Sequence, residues 1–205
     1  MEKAKNAEEY IAQQRQMIAS NPDCGTSYYN LAVALIGMQK YDEAEKELVK
    51  ALDCSPGLAE AFVQLGGLAL RKGDLDACLD YNKRAVKAKP GFSEGHGNIG
   101  FVHLQRGEVD EAIQALQRAT YFNFRFVQAF ASLGSAYLMK GMIDESIENS
   151  MKALVLAPDF AVAHNNLAIA YLEKGDYEKA ADHCGRAVQL GYAVAPEILK
   201  EIEKK

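Results

Sequence analysis

The sequence predicts an all-α fold, a solenoid of stacked helical hairpins with a capping helix at each end. Three observations carry this. One pattern of apolar and small residues recurs five times at an offset of 34 residues. Within each copy, apolar residues run at helical spacing, break once, and resume at helical spacing. Glycine or proline stands where the helices have to stop.

The segment 1–24 precedes the first copy. Asn6 and Glu9 have capping-box spacing ahead of a helical run over 7–20, and Pro22 lies one period before Pro56. The segment therefore reads as the second half of a hairpin. Its Tyr10 and Met17 are bulky where the full copies are small, which a terminal helix tolerates if no first helix packs on it.

The five copies are 25–58, 59–92, 93–126, 127–160 and 161–194. Numbered from one within each copy, position 7 is Leu31, Leu65, Ile99, Leu133 and Leu167. Position 8 is Ala32, Gly66, Gly100, Gly134 and Ala168; position 20 is Ala44, Cys78, Ala112, Ser146 and Ala180; position 27 is alanine throughout, from Ala51 to Ala187. Small side chains at these places let two helices approach closely. Position 15 carries Gly73, Gly107, Gly141 and Gly175, suited to a left-handed turn, with Gln39 in the first copy. Asp42, Asp74, Glu108 and Asp176 follow as acids expected at the N-termini of the second helices. Pro56, Pro90 and Pro158 end three copies, and Phe124 takes that place in the third. In the last segment, 195–205, Pro196 opens a helix over 197–204 whose Ile198, Leu199 and Ile202 cover the fifth copy. The whole is expected to form one domain.

This register resembles the tetratricopeptide repeat (TPR) family over about 170 of the 205 residues. The resemblance implies a right-handed superhelix and a protein-binding scaffold without catalytic residues. It also implies that positions 2, 5, 6, 9, 12 and 13 of the first helices line a concave groove. Position 6 is polar in every copy: Asn30, Gln64, Asn98, Ser132 and Asn166. That row is similar to the asparagine ladder of superhelical TPR domains, whose carboxamides can both donate to and accept from a peptide backbone. The alternative is that it only bridges neighbouring helices. Around it stand Tyr29, Val33, Val63, Phe101, Asn165 and Ile169, together with Gly67, Leu70 and other residues that make the groove largely apolar. The lysine and arginine clamp of chaperone-binding TPRs has no counterpart, since Tyr29, Val33, Gln64, Glu94 and Asn98 occupy those places. An apolar or amphipathic segment of a partner protein is the expected ligand.

Composition narrows the classes further. A net charge of -5 without long charge runs gives no nucleic-acid footprint. No apolar stretch approaches the roughly 20 residues of a membrane span, and residues 1–10 lack the apolar core of a secretory signal, so a cytoplasmic location is expected. The four cysteines are widely spaced and expected as free thiols, with Cys78 and Cys184 at packing positions. Residues 95–100 match G-x-G-x-x-G, but within a helical run and without a strand before them, so no dinucleotide site and no cofactor is expected. His96, His103 and His164 fall at aromatic packing positions and give no metal site. Lys72, Arg106, Lys140 and Lys174 recur at position 14, where they suit the C-terminal ends of the first helices.

Tyr121 and Phe124 are extra aromatics in the turn that ends the third copy. Exposed there, they would form a contact surface for self-association. The sequence thus supports an adaptor that holds a partner segment in its groove, with a self-assembling scaffold of the magnetosome-associated TPR type as the alternative.

Overall fold

The computed structural model describes residues 6–203, and all regular structure among them is α-helical. Helix α1 (Ala7–Ser20) is followed by five hairpins: α2 (Gly25–Gly37) with α3 (Tyr41–Cys54), α4 (Ala59–Arg71) with α5 (Leu75–Ala88), α6 (Ser93–Gln105) with α7 (Val109–Phe122), α8 (Val127–Met139) with α9 (Ile143–Leu156), and α10 (Ala161–Glu173) with α11 (Tyr177–Gln189). Helix α12 (Pro196–Glu203) follows. The sequence places that helix over 197–204; residue 204, like 205 and 1–5, lies outside the described residues. No helix among the described residues is long and apolar enough to cross a membrane. The chain divides within α6 into two compact units, one up to Asn98 and one from Ile99 onward.

The hairpin turns have one construction. Gly73, Gly107, Gly141 and Gly175 take φ between 72° and 78°, and Gln39 takes 60° in the same place. In all five turns the N–H of the following residue donates at 2.9 Å to a carbonyl in the last turn of the first helix, as Asp74 does to Ala69 and Asp176 to Tyr171. This is a Schellman closure, which needs a left-handed residue. Glycine adopts that conformation freely; Gln39 does so against its Cβ.

The acids after the turns divide into two groups. The Asp74 carboxylate accepts from the Ala77 N–H at 2.9 Å and the Asp176 carboxylate from the Lys179 N–H at 3.2 Å, as N-cap residues do. Asp42 instead lies inside the first turn of α3, whose N-cap is Lys40, and Glu108 turns its carboxylate to the His103 ring. At the N-terminal end the Asn6 side chain accepts from the Glu9 N–H at 2.8 Å, capping α1.

Packing follows the small positions. All five alanines at position 27 are fully buried. At position 8, a Cβ on Gly66 would lie 2.4 Å from Asn82 Nδ2, and one on Gly100 would lie 2.5 Å from Leu116 Cγ. Each of these glycines is required because a side chain of its own hairpin's second helix sits directly above it. In the N-terminal unit the core runs from Ile11 through Leu31, Leu35 and Leu48 to Leu65 and Leu68. In the C-terminal unit one cluster joins Ile113, Leu116, Leu133 and Tyr137, and another joins Cys184, Ala187 and Val194 to Ile198, Leu199 and Ile202 of α12. Each fully buried leucine, such as Leu48 or Leu116, contributes about 1.5–3 kcal/mol.

Candidate functional site

In the N-terminal unit, α2 contributes Tyr29, Asn30 and Val33 to the candidate face, α4 contributes Val63, Gln64, Gly67 and Leu70, and α6 contributes Asn98. Val33 and Leu70 are exposed; Tyr29, Asn30, Val63, Gln64 and Asn98 are half-buried. The Gln64 side chain lies near the Tyr29 hydroxyl of the preceding first helix. Burial, and after it the charge of Glu60, pushes the Tyr29 hydroxyl above its ordinary pKa, so the ring presents a neutral phenol. Gly67 is exposed, and a Cβ there would meet nothing within 4 Å. It leaves bare helix backbone between larger side chains. Asn98 donates its amide at 3.0 Å to Asn82, whose own amide donates at 2.8 Å to the Cys78 carbonyl.

In the C-terminal unit, Phe101 on α6 and Met139 at the end of α8 are exposed, while Ser132 and Ile169 are half-buried. Asn165 and Asn166 are buried. Asn166, 3% exposed, donates to the Ala131 carbonyl at 2.8 Å and accepts from the Ser135 hydroxyl at 3.1 Å. Both ends of its carboxamide are thereby used to tie α10 to α8. The position-6 row is not uniform: Asn98 and Asn166 have intramolecular hydrogen-bond partners, and Gln64 stands near Tyr29 of the face itself.

The other residues singled out in the sequence have separate places. Residues 95–100 lie inside α6, where Gly95 and Gly100 are packing glycines: a Cβ on Gly95 would stand 2.8 Å from Val86 Cγ1. His96 and His164 do more than fill space. Each donates from Nε2 to the carbonyl of the proline six residues before it, Pro90 at 2.8 Å and Pro158 at 2.9 Å, which pins the first helix to the turn it leaves. The position-14 lysines reach the preceding hairpin. Lys72 pairs with Glu45, Lys140 with Asp110 and Lys174 with Asp144, at 2.6–2.7 Å, in exposed ion pairs that salt will screen. Tyr121 and Phe124 are 83% and 76% exposed. Val155, at the position of Tyr121 one copy later, is 79% exposed, with exposed Met151 one turn before it on the same helix, and gives no signal in the sequence beyond an apolar letter. His183, which no sequence motif singles out, meets His164.

Family models described as tetratricopeptide repeat match residues 29–92, 63–127, 127–160 and 161–190. The chain belongs to the tetratricopeptide repeat family. Among solved structures, the TPR chain is similar to that of YrrB, a TPR protein with an unusual peptide-binding site, at 22% identity and a TM-score of 0.74, covering 95% of this chain and 100% of that one. It is similar to MamA at 25% identity and a TM-score of 0.68, covering 82% and 92%, and to Pseudomonas aeruginosa pilF at 16% identity and a TM-score of 0.84, covering 98% and 90%. No curated protein matches the sequence.

The first helix of four of the five TPR hairpins carries one large exposed apolar side chain: Val33, Leu70, Phe101 and Met139. In the fifth, the equivalents Ile169 and Leu172 are at least half-buried. Second helices carry exposed apolar side chains too, such as Val49, Met151 and Val188, so exposure alone does not mark the face.

Proposed function

We propose that this TPR protein is a non-catalytic, cytoplasmic scaffold that holds an extended or helical segment of a partner protein against its first helices. Gly67 carries the reading. It is open above and flanked by Val63, Gln64 and Leu70 on its own helix, so a partner backbone can approach the helix closely there and bury apolar side chains beside it. The Tyr29–Gln64 pair supplies polar groups at the edge of that contact. YrrB, with its peptide-binding site, adds a precedent on the same fold. In this reading Asn98 supports the face of the N-terminal unit through its bond to Asn82, and Asn30 and Gln64 are the position-6 residues of that unit that meet a ligand.

A phage-displayed peptide library selected on the purified chain tests this. Selected peptides are expected to shift the amide resonances of α2 and α4 and to lose binding to Gly67→Leu, a substitution whose added Cβ meets no protein atom in the free chain. Selected peptides that shift neither helix, or that bind Gly67→Leu as well as the parent, refute the placement.

A second reading, self-assembly, is favoured by the exposure of Tyr121 and Phe124 together with Val155. Its partner is another copy of this chain. Light scattering that gives a concentration-independent monomer removes it; an oligomer that dissociates in Phe124→Ala supports it.

A further inference from the structure

His164 on α10 and His183 on α11 face each other in the fifth hairpin, their Nδ1 atoms 2.9 Å apart and their ring centroids 5.2 Å apart. The His164 Nε2 lies 2.9 Å from the Pro158 carbonyl oxygen, which can only accept. Nε2 therefore carries the His164 hydrogen, and Nδ1 is a bare lone pair. It follows that the hydrogen between the rings belongs to His183. Tyr171 fixes the second ring from its face, stacked at 4° with centroids 5.7 Å apart. His164 is buried and His183 half-buried.

We propose that the His164–His183 pair is a one-proton latch that keeps the last hairpin closed at neutral pH and releases it in mild acid. A first added proton goes to the free Nε2 of His183, and the resulting imidazolium still donates from Nδ1. A second has no place. The His164 nitrogens are occupied, one by its own hydrogen and the other by the hydrogen of His183. Protonating His164 sets two N–H groups and two positive charges head to head in a buried site. The folded hairpin thus refuses one proton that two separated imidazoles would accept.

The sign follows from that count. Below the ordinary imidazole value, about 6.5, the opened state binds more protons than the closed one, so stability falls as pH falls, by about tenfold in the opening constant per pH unit where the closed pair holds one proton and by up to about a hundredfold where it holds none. Burial first and His164 second hold His183 below the ordinary value, and the Asp182 carboxylate acts in the opposite direction. Of the other charged groups nearby, the Lys179 ammonium lies over the Tyr171 ring at 5.0 Å, and Arg186 pairs with Asp159 at 3.1 Å. Neither cation can accept a hydrogen from His164. The consequence reaches the end of the chain, because Cys184 and Ala187 of α11 form the surface against which Ile198, Leu199 and Ile202 of α12 pack. Separation of α11 from α10 loosens that surface.

The fourth hairpin provides a control without titratable rings, since Phe130 and Asn149 occupy the equivalent positions. The double variant His164→Phe/His183→Asn copies that pair. Hydrogen exchange of the full-length chain between pH 7.5 and 5, corrected for intrinsic rates, is expected to show α10–α12 opening about ten- to a hundredfold more per pH unit below about pH 6.5, and no such rise in the double variant. Imidazole resonances of the parent are expected to show one of the two rings unprotonated while the hairpin stays closed. Should the double variant not fold, His183→Asn alone keeps the Pro158 bond and is also expected to flatten the dependence. The proposal is overturned by both rings taking up protons while α10–α12 stay protected, or by an acid response that the variants retain in full.

Discussion

Asn82 lies over Gly66, with its Nδ2 2.4 Å from where a Cβ on that glycine would stand. One residue on, Gly67 has open space above it. Adjacent glycines in one helix are thus under opposite constraints. Gly66→Ala is expected to cost about 1–3 kcal/mol by overpacking, and Gly67→Ala to stabilise by up to about 1 kcal/mol through helix propensity. Chemical denaturation of the two variants checks this, and equal effects of one sign would contradict the placement of Asn82.

Gln39 holds a left-handed φ of 60° where the other four hairpins use glycine. A left-handed non-glycine residue costs about 1–2 kcal/mol, and glycine costs about 0.4–1 kcal/mol in unfolded-chain entropy. The strain is the larger effect, so Gln39→Gly is expected to raise stability on the order of 0.5 kcal/mol. A lowered thermal midpoint would show that the Gln39 side chain stabilises the turn by some other contact.

Ala119 is fully buried at position 27. Ala119→Leu forces three extra heavy atoms between helices and is expected to cost about 1–3 kcal/mol. Its test is the denaturation midpoint, where a value equal to the parent's would argue against the repeat register.

The Ser146 hydroxyl is buried and has no hydrogen-bond partner among the described residues. Position 20 is alanine in three other copies. Ser146→Ala removes an unsatisfied polar group at the loss of one small atom, for an expected gain of about 1 kcal/mol, measurable by the same denaturation. A loss would mean that the hydroxyl finds a partner in solution.

Asn166 uses both ends of its carboxamide, whereas Asn98 stands half-buried on a single bond. Asn166→Ala is expected to lose about 1–3 kcal/mol and Asn98→Ala less than half of that. The reverse order would restore Asn166 as a candidate ligand contact.

The hairpin scheme was legible in the sequence because a repeat reports each constraint five times. A lone glycine at 107 is ambiguous; Gly73, Gly107, Gly141 and Gly175 at one spacing are a turn with a required φ. The same redundancy placed residues 95–100 within a helical run, with Gly100 at the small position 8. What the sequence did not disclose was pairing within a position class. Asn98 and Asn166 share a letter and a register, yet one bonds a side chain of the preceding hairpin and the other a backbone carbonyl, because Asn82 occurs only in the second copy. His183 was illegible for a related reason. Position 23 reads Glu47, Tyr81, Ala115, Asn149 and His183, with no recurrent chemistry to single it out.

The Asn98–Asn82 bond bears on how such an array can be rearranged. Gly66 and Asn82 belong to one hairpin and travel together in any duplication or shuffling of the chain, as do Gly100 and Leu116. Asn98, which supplies the donor for Asn82, belongs to the next hairpin. The second hairpin is therefore transferable only in company: moved ahead of a neighbour without an amide at position 6, it would keep its interior and lose a bond to its successor. The heritable module is a hairpin plus the opening helix of the one that follows.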